Sequence, residues 1–134
     1  MSQNAELIRE LYKSIARGDQ QTNRALTDPN FEWHLAKYYP YGGPFIGHDA
    51  VFYEFFSRLL NDFDDWSVQP DELLDVGDTV VSLGHYRGLA KATGIKVDAP
   101  FAHIWRLKDD KVMHMQQYTD TYMFVEAVGR TSYP

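Results

Sequence analysis

The feature that most restricts this chain is the tempo of its second half. Residues 66–76, 79–90, 95–107 and 112–121 are four runs rich in branched and aromatic residues, separated only by Gly77-Asp78, a turn around Thr93-Gly94 and a charged run. Links this short suit hairpins and leave no room for a crossover helix, so consecutive runs predict an antiparallel meander. The charged run, Lys108 to Lys111, closes a hairpin with His103 on one arm and Asp120 at the end of the other. If Asp109-Asp110 form a two-residue loop, His103 lies opposite Gln116 and shares a face with Tyr118 and Asp120. If Lys108 to Asp110 form a three-residue loop with a bulge, His103 lies opposite Met115 and the faces separate. Even in the first register His103 and Asp120 stand four positions apart, roughly 13 Å at the usual rise, so they form no hydrogen-bonded dyad.

The first half reads as helix. Leu7, Ile8, Leu11, Tyr12 and Ile15 recur on one helical face, and Gly18 supplies a stop. Residues 19–26 predict a second helical turn or two before Asp28-Pro29. Phe31, Trp33 and Leu35 then alternate with polar residues as in a short half-buried strand. The segment 38–44 holds two prolines and two glycines and must be a loop, its tyrosines either covering the core or walling a pocket. From His48, the spacing of Val51, Phe52, Phe55, Phe56, Leu59, Leu60 and Phe63 predicts a long amphipathic helix. Residues 122–128 predict a short terminal helix ended by Gly129.

This order gives an α+β fold, a curved antiparallel sheet packed on one face by an N-terminal helix and a long helix, forming a cone-shaped cavity. At 134 residues the chain has the size of one domain, 1–134. An aromatic content of 15% exceeds what a solid core of this size need hold, so some rings are expected to line a cavity. The net charge of -6 excludes the clustered cations that bind nucleic acid. There is no cysteine, which removes thiolate chemistry, and the N-terminus lacks an apolar signal core. A cytoplasmic protein without a membrane span is the expectation. The five histidines show no HxH or HExxH spacing, so no metal is expected unless residues converge in three dimensions. Nor is a cofactor.

The entry GPFIGHDAVFYEFF into the long helix and the closing FAHIWRLKDDKV and QQYTDT resemble the nuclear transport factor two-like superfamily, in its SnoaL-like, ketosteroid-isomerase-related branch. The resemblance covers nearly the whole chain and implies the fold more strongly than any activity, since the superfamily spans isomerases, cyclases, epoxide hydrolases and non-catalytic members. In cyclases and epoxide hydrolases of this superfamily an aspartate near the end of the last strand acts as acid or base, and Asp120 looks like its counterpart. Ketosteroid isomerases carry a further aspartate where counting back from the turn puts Ala102, and a base aspartate near Trp33 and His34, where this chain has none. The Arg-x-Asp of the epoxide hydrolases has its one match at a helix end, Arg17-Gly18-Asp19.

Asp120 and His103 are therefore the acid/base candidates, with helix capping the competing role of Asp120 and a satisfied sheet imidazole that of His103. Tyr12, Trp33, His34, Phe56, Tyr86, Ile104 and Tyr118 are the candidate ligand contacts. The expected function is isomerase-like or cyclase-like proton transfer on a small apolar carbonyl compound. The alternatives are a non-catalytic binder of a small hydrophobic molecule, or a dimeric interaction module; the resemblance also implies a homodimer.

Overall fold

The computed structural model describes residues 3–129; residues 1–2 and 130–134 of the expected domain lie outside the described residues. Helix α1 (Gln3–Ala16) buries Ala5, Ile8 and Leu11 on one stripe. It ends where Gly18 turns to φ +69° and Gly18 and Asp19 donate back to the carbonyls of Ile15 and Ser14. Those paired bonds form a Schellman stop, which only a residue free of the Cβ penalty adopts cheaply. Asp19 then caps α2 (Gln20–Leu26), accepting from Thr22 N at 3.0 Å. Strand β1 (Thr27–His34) and the two-residue β2 (Phe45–Ile46) flank the aromatic loop.

The long helix exists, but its first half winds differently from the expectation. Asp49–Phe55, here π1, is a π-helix that runs into α3 (Phe56–Asp62). Four long strands follow: β3 (Phe63–Val76), β4 (Thr79–Ala90), β5 (Lys96–Lys108) and β6 (Lys111–Thr119), and then α4 (Thr121–Val128), ended by Gly129 at φ +76°. The sheet order is β2-β1-β6-β5-β4-β3. Strands β3 to β6 form the predicted antiparallel meander, whereas β1 joins parallel to β6. The sheet is therefore mixed. Alternation in a sequence says which face of a strand is buried and is silent on the direction of its neighbour.

The hairpin closes with Lys108 paired to Lys111 around Asp109 and Asp110, whose φ values of 52° and 62° make a type I′ turn. This is the two-residue loop. The expected register nevertheless fails beyond it, because Leu107 pairs with Val112 and Arg106 with His114, leaving Met113 as an extra residue. That β-bulge shifts β6 by one position, so His103 lies opposite Gln117. A one-residue shift exchanges the two faces of a strand. Met115 and Gln117 point inward, and Gln116 and Tyr118 point outward with Ile104 and Ala102.

The helices cover the inner face, and the core between them is aromatic: Phe31, Phe52, Phe63, Trp105 and Phe124 are all buried. Phe124 of α4 meets Tyr39, Phe63, Trp66 and Tyr86 with ring centroids 4.8–6.1 Å apart. Two glycines let β3 and β4 approach this closely. A Cβ at Gly84 would stand 2.0 Å from the Gln69 carbonyl oxygen, and one at Gly88 would stand 2.9 Å from the Trp66 ring. Among the described residues no helix is long and apolar enough to cross a membrane.

Candidate functional site

Between the helices and the inner face lies a cavity of about 250 Å3. Its walls are aromatic and aliphatic, from Tyr12 and Ile15 of α1, Trp33 of β1, Phe55, Phe56, Leu59 and Leu60 of the long helix, Trp66 of β3, Tyr86 of β4 and Trp105 of β5. Its polar floor is small: the His103 imidazole, the Gln117 amide and the phenols of Tyr12, Tyr39 and Tyr86. No carboxylate is among the lining residues.

The floor is a connected set of hydrogen bonds. His103 is 3% exposed, and both ring nitrogens are engaged: Nδ1 with Tyr12 Oη at 2.5 Å and Nε2 with Tyr86 Oη at 2.5 Å. Phe101 stacks on the imidazole at 4.0 Å between centroids and holds its plane. The Gln117 carbonyl oxygen accepts from Ala36 N at 3.3 Å, which turns its amide nitrogen toward Tyr86 Oη at 3.0 Å. Trp105 donates its indole N–H to Ser82 Oγ at 2.7 Å, and Ser82 also supports the Tyr12 phenol.

Burial sets the charge states. Desolvation pushes the His103 pKa down to about 3, so the ring is neutral and carries one N–H. Desolvation also raises the Tyr12, Tyr39 and Tyr86 phenols above their ordinary value, so all three keep their protons. A neutral imidazole donates from one nitrogen and accepts at the other. One phenol therefore donates to His103 while the other accepts from it, and the two tautomers interchange these roles. When Nε2 carries the proton, Tyr86 Oη accepts from both Gln117 and His103, and its own O–H is free to point at a bound molecule.

The structure brings Tyr12, Trp33, Phe56, Tyr86 and His103 together around this cavity. It does not bring the other candidates there. Tyr118 sits on the outer face because of the bulge and is 54% exposed, and Ile104 faces outward because it follows the inward His103 on β5. His34 also points outward, stacked on His114 at 4.5 Å. Asp120 is exposed at the start of α4, where its carboxylate accepts from Met123 N at 3.1 Å as a helix cap. Ala102 too faces outward, so the residue presented to the cavity at that level of β5 is His103. Sequence reasoning missed Gln117 and Trp66. Gln117 was hidden by the bulge, and Trp66 carried a usable signal as the first aromatic residue of a strand run.

The family described as SnoaL-like domain matches residues 8–115. An NTF2-like protein from Burkholderia thailandensis has the same fold at TM-score 0.87 and 30% identity, the match covering 95% of this chain and 98% of that one. An NTF2-like protein of unknown function from Burkholderia pseudomallei matches at TM-score 0.86 and 27% identity over 96% and 98% of the two chains. TerC, co-crystallized with polyporic acid, matches at TM-score 0.84 and 26% identity over 96% and 99%. No curated protein matches the sequence.

Proposed function

Because this chain belongs to the SnoaL-like domain family, a fold that serves many chemistries, we propose a function from its own cavity: it holds a small apolar molecule bearing a carbonyl or enol oxygen, and Tyr12, His103 and Tyr86 move protons on it, as in an isomerisation or an intramolecular aldol closure. The observation that carries this reading is the engagement of both nitrogens of one buried, neutral imidazole by two phenols that line the same cavity. A volume of about 250 Å3 lies just below the usual range of ligand sites and suits one or two rings. The co-crystallization of TerC with polyporic acid supports an organic ligand for this fold.

The proton balance closes without any ionised residue. Tyr86 gives its proton to the substrate oxygen and takes one from His103 Nε2. His103 takes one at Nδ1 from Tyr12, and Tyr12 Oη receives the proton leaving the carbon beside the carbonyl. The imidazole has changed tautomer and nothing has become charged, which matters where burial makes an imidazolium costly. Running the line backward with the proton delivered to a different carbon completes an isomerisation and resets the site. The free Tyr86 O–H supplies the preorganised donor for the oxygen that gains charge.

A binder without turnover is the second reading, favoured by the lack of a lining carboxylate and by the low basicity of His103. Both readings require occupancy of the cavity. Titrating 2-tetralone, a two-ring ketone, against the fluorescence of Trp33, Trp66 and Trp105 should give saturable quenching, lost when Leu59→Trp fills the space. Absence of saturation into the millimolar range would remove both. The reading also includes a homodimer, docked through the outer sheet face where Leu83 and Tyr118 are exposed. Sedimentation as a monomer at micromolar concentration would contradict that part.

A further inference from the structure

The outer sheet face brings together three residues that the sequence spacing keeps apart. Glu32 and His34 are two positions apart on β1 and so share a face, and the parallel neighbour β6 places His114 directly beside Glu32. One donor atom from each of Glu32, His34 and His114 lies within 4.8 Å of the other two. His34 Nε2 and Glu32 Oε1 are already 2.9 Å apart, and the two imidazoles stack with centroids at 4.5 Å and planes 22° apart.

We propose that Glu32, His34 and His114 form a binding site for one divalent transition-metal ion of the zinc and cobalt class. Two imidazoles and a carboxylate are the donor set that such borderline ions take, with water completing the coordination. Magnesium and calcium, which want oxygen donors, are poor fits. Zinc–ligand bonds of roughly 2.1 Å need donors roughly 3.4 Å apart around a tetrahedron, so the ion inserts between His34 and Glu32 and draws the His114 ring in by a small rotation.

Two further observations support this. His114 Nδ1 is enclosed and has no hydrogen-bond partner, so no hydrogen bond at that nitrogen fixes the tautomer of the ring. A bound ion supplies the missing partner by direct ligation or by letting the ring turn. His34 also lines a groove of about 300 Å3 against Lys37, Tyr38 and the Gly42-Gly43-Pro44 turn, which leaves room beside the cluster for the remaining ligands. Arg106 stands opposite His114 and its charge opposes the ion, but its guanidinium is drawn aside by Thr79 Oγ1 at 3.2 Å. The geometry is invisible to motif searches because β1 and β6 are joined in parallel across eighty residues of intervening chain.

The test uses the full chain stripped with chelator and titrated with cobalt chloride, followed by visible absorption, then zinc chloride in competition. One equivalent should bind, with visible bands that zinc abolishes. His34→Asn, His114→Asn and Glu32→Gln should each weaken binding by at least the roughly tenfold that losing even an outer partner of a metal ligand costs. Arg106→Gln should tighten it, and His85→Asn, at the other exposed histidine–carboxylate pair, should change nothing. Melting in chelator confirms that each variant is folded, as expected for half-exposed positions. Absence of binding at 100-fold excess cobalt over protein overturns the proposal. So does unchanged binding in the folded His34→Asn and His114→Asn variants, which would mean an adventitious ion only.

Discussion

The two faces of the β5–β6 hairpin are made of alternate residues from the same strands, yet they do opposite things. Inward, Phe101, His103, Trp105, Met115 and Gln117 are all buried, and the one histidine among them has a partner at each nitrogen. Outward, Ile104, His114, Gln116 and Tyr118 are half-buried or exposed, and His114 has an unpaired nitrogen. The inner histidine is held neutral and fixed by desolvation and two phenols. Its outer counterpart stacks on His34, has no hydrogen bond at Nδ1 and is free to recruit a ligand. Burial, rather than residue type, therefore separates the proposed proton relay from the proposed metal ligand.

The sharpest way to break this contrast is to insert one alanine between His114 and Met115, just past the bulge at Met113. The insertion should slip the rest of β6 by one, aim Gln116 and Tyr118 inward and cost more than about 4 kcal/mol, seen as loss of the near-ultraviolet circular dichroism of the aromatic core. A native spectrum would show that the register past the bulge does not set the faces. Phe124→Ala, at the centre of the inner cluster, should cost about 3–5 kcal/mol in urea unfolding, while Tyr118→Ala outside, measured at dilutions where the chain is monomeric, should stay within about 0.5 kcal/mol. Similar costs would erase the inside–outside difference.

Acid offers a finer probe. The folded-state pKa of His103 is lowered to about 3, so between about 6.5 and 3 the unfolded chain binds a proton there that the folded chain does not. Stability is therefore lost as pH falls through that window, with a slope approaching about 1.4 kcal/mol per pH unit from this group. Melting of His103→Gln between pH 4 and 7 should lack that component, and an unchanged slope would mean that His103 is not buried neutral. Smaller still, Asp120→Ala should cost about 1 kcal/mol as a lost cap and Asp120→Asn close to nothing, with 2-tetralone quenching intact in both.

Much of the fold was legible because helices and strands advertise their period. The four long strands, the α1 stripe and the Gly18 and Gly129 stops follow from spacing and backbone freedom alone. The candidate site was half legible. Tyr12, Trp33, Phe56, Tyr86 and His103, named from the sequence as candidates, line the cavity. Tyr118 does not, because a single extra residue in β6 exchanges its faces and no local signal in Val112-Met113-His114 announces it, and Ile104 and His34 do not, because each follows an inward residue of its own strand, His103 and Trp33. Asp120 looked chemical from its place after the last strand, and that same place is where a helix needs its cap. The Glu32, His34 and His114 cluster depends on a parallel pairing that alternation cannot reveal.

The measurement that bears most directly on the inner face is hydrogen–deuterium exchange at the carbon beside the 2-tetralone carbonyl, followed by NMR in heavy water with wild type, Tyr86→Phe and Asp120→Asn. The account predicts acceleration by the wild type, loss of at least about tenfold of it in Tyr86→Phe, and full retention in Asp120→Asn. Acceleration that survives Tyr86→Phe but disappears with Asp120→Asn would contradict it, returning the chemistry from the buried relay to the exposed cap.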